Sequence, residues 1–249
     1  MKILVCIGNV PDTTTKIRFN SEMTKFDTTG VQWVINPWDE LALTRAMELK
    51  EQSNGKIEKV TVVTVGKVDS EPTIRKALAI GADDAIRVDV EPKDSYTVAY
   101  NIAEAVKDMG FDIIFAGIES SDYNSSAVGG MIAEFLNVPS VSAVSYFEIN
   151  NDNITLKREI EGGKETISIP TPFVAIVQKG ICINPRIPAM RGIMMARTKP
   201  LQVIQGADVQ SLVEMTTFEM PPAKASCKFV EAEDMDKLID LLHNEAKVI

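Results

Sequence analysis

Phe111-Asp112-Ile113-Ile114-Phe115-Ala116-Gly117-Ile118-Glu119-Ser120-Ser121-Asp122-Tyr123-Asn124-Ser125-Ser126-Ala127-Val128-Gly129-Gly130 is the stretch whose reading decides the fold. Ile113 to Ala116 form a short apolar run closed by Gly117, the pattern of a strand buried on both faces. Hydroxyls, a carboxylate and an amide follow between Ser120 and Ser126, and a small-residue helix is predicted over residues 127–136. A buried strand that passes through a polar loop into a helix is one unit of an open α/β sheet, and the loop at the strand's carboxyl end is where such sheets hold ligands.

The same unit recurs upstream. Residues 2–8 are a continuous apolar strand with residues 9–12 as its exit loop, and residues 17–34 alternate around Thr28-Thr29-Gly30, which predicts a small hairpin excursion. Asn36-Pro37 predicts a helix start with Asn as N-cap and Pro at the first helical position, where its missing N–H is harmless. Trp38, Leu41, Ala42, Arg45, Ala46 and Leu49 share one face at helical spacing. Residues 59–65 are a second buried strand closed by Gly66, and residues 70–80 a second helix with Pro72 early and Gly81 beyond its end. Residues 85–90 follow as a strand, then residues 94–109 as a helix with Val98, Ile102, Ala105 and Val106 on its apolar face and Gly110 as its stop. Strands and helices in this rhythm predict right-handed crossovers and a mostly parallel, doubly wound α/β sheet of the Rossmann-like kind.

After Pro139 the rhythm changes. Residues 144–149 and 154–160 alternate around Asn150-Asn151-Asp152-Asn153, and residues 164–169 alternate after Glu161-Gly162-Gly163, which predicts an antiparallel extension. Residues 173–178 read as a last buried strand; beyond Asn184 no further sheet is expected, and residues 201–228 read as irregular around Pro221-Pro222. Residues 231–247 are predicted as a closing helix with Met235, Leu238, Ile239 and Leu242 as its stripe. The expected division is therefore a domain over residues 1–200 and a C-terminal arm with a helix over residues 201–249. That arm either lies on another surface or folds back on its own domain.

Composition narrows the function classes. A net charge of -9 argues against general binding to nucleic acid or anionic membrane, both of which need surplus Lys and Arg. The first apolar run is shorter than a secretory core and no run reaches membrane-spanning length, so a cytoplasmic protein without membrane insertion is expected. Cys6, Cys182 and Cys227 are far apart and without metal-ligand spacing; buried thiols and no metal site are expected. His243 is the only histidine and lies in the C-terminal helix pattern. That leaves no material for a Ser/His/Asp triad, so a binding protein without catalytic residues is expected.

In a doubly wound sheet the ligand crevice lies where the strand order reverses, here between the ends at Gly8 and Gly117. Asn36 and Val65-Gly66 should border it. Asp122, Asn124, Ser125 and Ser126 stand before a helix N-terminus that suits a phosphate, with Gly129 and Gly130 permitting close approach. The crevice reads as a mononucleotide site; the plainer alternative is that Ser125 only caps the helix. GxGxxG after the first strand and GxxxxGK[ST] are both absent, which sets aside the dinucleotide and phosphate-transfer readings. Glu159 reads by default as a solvated strand charge.

A second unusual segment is Asn184-Pro185-Arg186-Ile187-Pro188-Ala189-Met190-Arg191-Gly192-Ile193-Met194-Met195-Ala196-Arg197. Methionines on a cationic rim suit an adaptable partner-docking surface; a short core helix after a loop is the alternative.

Together these features resemble the beta (small) subunit of electron transfer flavoprotein, over nearly the whole chain and in order. The resemblance is carried by the opening strand, by Ile35-Asn36-Pro37, by Thr73-Ile74-Arg75-Lys76-Ala77-Leu78-Ala79-Ile80-Gly81-Ala82-Asp83 and by Arg158-Glu159-Ile160-Glu161-Gly162-Gly163. Most specific is Asn184-Pro185-Arg186 followed by Pro188-Ala189-Met190 and Ile193-Met194. The resemblance implies a heterodimer with an alpha (large) subunit that carries most of an FAD site, with the arm packed on that subunit. It implies a structural AMP lined by Cys6, Asn36, Val65 and Gly117 and faced by Asp122, Asn124, Ser125 and Ser126. The family commonly has Asn-Gln-Thr where this chain has Asn124-Ser125-Ser126. Glu159 matches an acidic residue at the subunit interface near the flavin. Met190 matches a leucine that anchors dehydrogenase partners, with Pro188, Ala189, Arg191 and Ile193 around it. The implied role is an electron carrier between acyl-CoA dehydrogenases of fatty acid beta-oxidation and a quinone oxidoreductase. Two alternatives stay open: a bifurcating relative with a second FAD in place of AMP, and a free-standing adenine-nucleotide module of the stress-protein kind.

Overall fold

Strands that are apolar at every position need cover on both faces, and helices supply it here. The computed structural model describes residues 1–150, 153–224 and 226–249. Strands β1 (Lys2–Cys6), β2 (Asn9–Pro11) and β3 (Trp33–Ile35) precede helix α1 (Pro37–Gln52). Then come β4 (Lys59–Val65), α2 (Glu71–Ile80), β5 (Asp84–Asp89), α3 (Ser95–Val106), β6 (Ile113–Gly117) and α4 (Val128–Leu136). The second half holds β7 (Ser140–Asn150), β8 (Asn153–Ile160), β9 (Gly163–Ser168), β10 (Phe173–Val177), α5 (Met190–Ala196), β11 (Leu201–Gln205) and α6 (Met235–Asp240).

Nine strands form one sheet in the order β11-β5-β4-β1-β6-β10-β7-β8-β9. All pairs from β11 through to β7 are parallel, whereas β7–β8 and β8–β9 are antiparallel. The doubly wound α/β fold with an antiparallel extension is therefore observed. β4, β5 and β11 lie in turn outward from β1 on one side, and β10 followed by β7, β8 and β9 lies outward from β6 on the other, so the order reverses between β1 and β6. Alternate residues of β1 serve opposite faces. Ile3 and Val5 pack with Leu43 of α1 and Leu78 of α2, while Leu4 and Cys6 pack with Ile102 of α3 and Ile132 of α4.

Three local features depart from expectation. In α1 the buried set is Asp39, Ala42, Leu43, Thr44, Ala46, Met47 and Leu49, a stripe rotated from the expected one, with Trp38, Leu41 and Arg45 half-buried. Two overlapping apolar stripes are equally good by spacing, and the sheet chose the one containing Leu43 and Met47. β11 corrects the expectation of no sheet beyond Asn184: it joins β5 as a parallel edge strand, Leu201 opposite Ala85. As a mostly exposed edge strand it needs little apolar content, so its periodic signal is faint. The closing helix is shorter than expected: Asp234 caps α6 through the Lys237 amide, and residues 241–246 continue as a π-helical turn.

The antiparallel extension is present, and β7 begins earlier than residue 144 because its first part pairs with β10 before its second part pairs with β8. Asn151 and Asp152 of the expected turn lie outside the described residues. Residues 17–34 make the expected excursion, closed by the β2–β3 pair and a Phe19–Phe26 bridge. Phe147 of β7 joins extension to parallel core, with ring centroids 5.1 Å from Phe115 and 6.1 Å from Phe173, all three fully buried. Phe147→Ala is expected to lower unfolding stability by about 3–5 kcal/mol, read from denaturant midpoints at unchanged slope.

The first part of the arm takes one of its two readings. Asn101 clamps Ala207 through two hydrogen bonds of 2.8 and 3.1 Å, the Asp94 carboxylate accepts from the Leu212 and Val213 amides, and Phe218 stacks on Phe19 at 4.7 Å. This first part folds back on its own domain. Farther on, Phe229 is 92% exposed and Met235, Ile239, Val248 and Ile249 are exposed as well. Of the cysteines Cys6 is buried, Cys182 half-buried and Cys227 exposed, so burial of all three is corrected.

Candidate functional site

At the carboxyl ends of β1 and β6 the chain leaves the sheet at Gly8 and Gly117, and α1 crosses beneath both exits. The Asp39 carboxylate in the first turn of α1 accepts the Gly8 amide on one oxygen and the Gly117 amide on the other, each at 2.8 Å. The Asn36 side-chain amide adds a third donor at 3.0 Å. Asp39 is 7% exposed, and burial pushes its carboxyl up to about 6 although these donors pull the other way; nearby Asp122 pushes it up further. Burial, and then Asp39, hold the Cys6 thiol far above its ordinary range, so Cys6 is a neutral wall of the site.

Asn36 occupies the N-cap position ahead of Pro37, as expected, but its side chain makes no capping bond. Instead it reaches the loop after β6, donating to the Glu119 carbonyl at 2.8 Å and accepting from the Ser121 amide at 3.2 Å. The expected cap is thus a cross-link. Val65 is buried at the end of β4, and the next carbonyl, that of Gly66, accepts from the buried Arg87 guanidinium at 3.0 Å. Cys6, Val65 and Gly117 end β1, β4 and β6, and Asn36 stands between β3 and α1 with its side chain on the loop after β6.

Above them, Asp122, Asn124, Ser125 and Ser126 are exposed in the loop that leads to α4. Asn124 and Ser126 both adopt φ of 50°, the left-handed region, which bends the loop at both positions. Ser125 does not cap α4: the N-cap is Ala127 without a side-chain bond, and the Ser125 hydroxyl is 2.9 Å from that of Ser95. The two glycines of α4 have different duties. A Cβ on Gly129 would stand 2.8 Å from Ile176, so that glycine serves helix-to-sheet packing, not a ligand. Gly130 has open space around it.

Glu159 lies apart from this crevice, on β8 in the antiparallel extension, paired with Lys164 at 3.2 Å. The residue that sequence reasoning missed is Asp39. An acidic residue in a helix's first turn is ordinarily explained by the helix dipole, and no sequence pattern announces that it will be buried under two strand ends.

The segment 184–197 forms a second candidate site. α5 is not a core helix: Ala196 is its one buried residue, while Ile187, Met190 and Met194 are 87%, 76% and 70% exposed. Pro188 is half-buried, and Ala189, Arg191 and Ile193 are exposed beside them. Its backbone is nevertheless held on several sides. Arg75 donates to the Ala196 and Lys199 carbonyls at 2.9 and 2.8 Å, and the Arg186 amide donates to Thr44 at 2.9 Å. The Lys199 ammonium rests on the Leu78, Gly81 and Ala82 carbonyls at the end of α2, and burial lowers its pKa. Gly192 lies so near α2 that a Cβ there would be 2.5 Å from the Ala79 carbonyl oxygen. The segment thus combines a backbone tied to α1 and α2 with exposed apolar side chains.

Fold and sites together define an α/β protein of the Rossmann-like kind, with a polar crevice at the strand-order reversal and a fixed apolar segment outside it. Residues 23–209 match the family described as the electron transfer flavoprotein domain. The chain is 34% identical to the electron transfer flavoprotein subunit beta of Bacillus subtilis (strain 168) over 263 aligned residues, covering all of both chains. It is 35% identical to that of Syntrophomonas wolfei over all of this chain and 98% of the relative, and 32% identical to that of Homo sapiens over 94% and 95%. The chain belongs to the electron transfer flavoprotein family, among its beta subunits. The family name implies association with a flavin, and the designation beta implies an alpha partner. Among the described residues no helix is long and apolar enough to cross a membrane.

Proposed function

We propose that this chain is the small subunit of a heterodimeric, FAD-containing electron carrier that works in the cytoplasm. It takes electrons from acyl-CoA dehydrogenases and related flavoenzymes and delivers them to a quinone oxidoreductase. The observation that carries this reading is the segment 184–197, whose apolar side chains are exposed on a backbone pinned to α1 and α2. A carrier that meets several enzymes in turn needs such an adaptable surface, and methionine provides it. Met190 is the proposed anchor, with Pro188, Ala189, Arg191 and Ile193 around it. The FAD, shared with the alpha subunit, supplies the redox chemistry when bound; the chain's own residues position and dock, and none is assigned a catalytic step. Glu159 is proposed to face the alpha subunit near the flavin, and the exposed arm from Phe229 onward to lie on that subunit, in keeping with its uncovered apolar residues.

The crevice is proposed to hold AMP as a structural ligand. Its fit rests on the open backbone at Gly130, the bent loop at Asn124 and Ser126, and the hydroxyls of Ser125 and Ser126. Backbone N–H groups and hydroxyls at the start of α4 would take the phosphate, and Cys6, Asn36, Val65 and Gly117 would line the nucleoside. Coexpression with the alpha subunit, followed by release and counting of bound nucleotides, tests this. One FAD and one AMP per heterodimer is the expected result. Two FAD would replace AMP by a second flavin and support a bifurcating carrier, and a stable colourless protein that takes no partner subunit would overturn the carrier reading.

A further inference from the structure

We propose that Asp39 is the positioning residue of the crevice: its ionised carboxylate ties the exits of β1 and β6 together and, through Asn36, sets the loop that receives the nucleotide phosphate. This deepens the AMP reading above and rests on it.

The geometry is that of a clamp. Gly8 lies just past β1, the first strand of one half of the doubly wound sheet, Gly117 closes β6, the first strand of the other half, and one carboxylate holds both amides at 2.8 Å. Both positions are glycine for a reason visible at Asp39. A Cβ at Gly8 would lie 3.2 Å from Oδ2, and a Cβ at Gly117 would overlap Oδ1. The third donor, Asn36, carries the constraint outward to Glu119 and Ser121, one residue short of Asp122. Position is thus relayed from the sheet, through one carboxylate and one amide, to the residues proposed to meet phosphate.

Charge matters to this clamp as well as shape. A carboxylate accepts three N–H bonds with charge assistance, whereas a protonated carboxyl accepts weakly and brings a proton that needs a partner of its own. The titratable groups that bear on Asp39 are the neutral Cys6 thiol from β1 and Asp122 from the loop. Its pKa of about 6 lies above the ordinary carboxylate value of 3.8, so the folded chain binds the extra proton between about pH 4 and 6 and loses stability as pH rises through that window. Ionisation here therefore opposes folding. A group kept charged against stability is explained by what its charge does, and here its charge holds the loop.

The test uses the heterodimer and AMP, with Asp39→Asn beside the wild type. The phosphate's own second ionisation, with a pKa of roughly 6, affects both proteins alike, so the difference between their pH profiles isolates Asp39. Between pH 7.5 and 5.5 wild-type affinity is expected to fall about three- to fourfold more than that of the variant, close to the ceiling for one group with a pKa of about 6, of which about a quarter is still ionised at pH 5.5. Parallel profiles would overturn the proposal. The backbone amide proton resonances of the wild type give a second readout that needs neither the variant's folding nor nucleotide. Those of Gly8 and Gly117, which donate to the carboxylate, should move upfield together with a midpoint near pH 6 as its charge is lost, and shifts that do not share that midpoint would also overturn the proposal. If AMP binds at no pH, the nucleotide reading fails, while the amide titration still decides the clamp.

Discussion

Gly117→Ala is expected to dismantle the crevice and to destabilise the fold strongly. The new Cβ would overlap Asp39 Oδ1 and stand 2.8 Å from Trp38 Cβ and 3.2 Å from the Asp39 backbone nitrogen. Two of those contacts involve the Cβ and backbone of α1, so no side-chain rotation relieves them and the helix itself must move. Leu43, Ala46 and Met47 fix that helix in the core against the same sheet face. Overpacking of this kind costs about 1–3 kcal/mol. Displacing the carboxylate leaves the Gly8 and Gly117 amides without their acceptor, at about 1–3 kcal/mol each when buried. We expect a total near 4 kcal/mol, a fall in melting temperature of about 10 °C, and loss of bound nucleotide. Gly130→Ala is the matched control. It meets open space in a helix and is expected to be neutral or to stabilise by up to about 1 kcal/mol. Equal effects of the two substitutions on melting temperature, by calorimetry without nucleotide, would contradict this account of the site.

Met190→Asp is expected to slow reduction by a dehydrogenase at least thirtyfold while leaving FAD content and melting temperature unchanged. Met190 is 76% exposed, so its replacement removes nothing from the core. In a docked complex it would be buried, and an unpaired carboxylate there carries the penalty of a lost hot spot, about 2 kcal/mol or more. Gly192→Val asks the same question through the backbone. A Cβ 2.5 Å from the Ala79 carbonyl must push α5 off α2, which moves the docking side chains without changing them. Slow reduction in both variants would place recognition in the seated segment. Wild-type rates with Met190→Asp would remove Met190 from docking.

The doubly wound core was legible because long-range burial leaves a local trace. Continuous apolar runs such as residues 113–116 occur where both sheet faces are covered, and capping glycines and prolines mark the ends of the helices between them. The alternation in residues 154–160 likewise revealed a half-exposed antiparallel strand. β11 left almost no trace, since an exposed edge strand needs few apolar residues and draws its hydrogen bonds from β5. The α1 face was legible as amphipathic but not in its rotation, which the sheet decided.

The site divides in the same way. Asn36, Gly117 and the residues 122–126 loop could be named because strand ends and helix starts are sequence features, and their topology places them together. By itself, then, the sequence determined the order of elements, the reversal between β1 and β6, and the polar character of the loop above it. Only the tertiary structure decided that Asn36 cross-links where a cap was expected, that Gly129 serves packing, and that Asp39 is buried between two strand exits. The reason is physical. Periodicity and capping are set by neighbours along the chain, whereas the Gly8, Asp39 and Gly117 hydrogen bonds join residues 31 and 78 positions apart and exist only once the sheet has closed over α1.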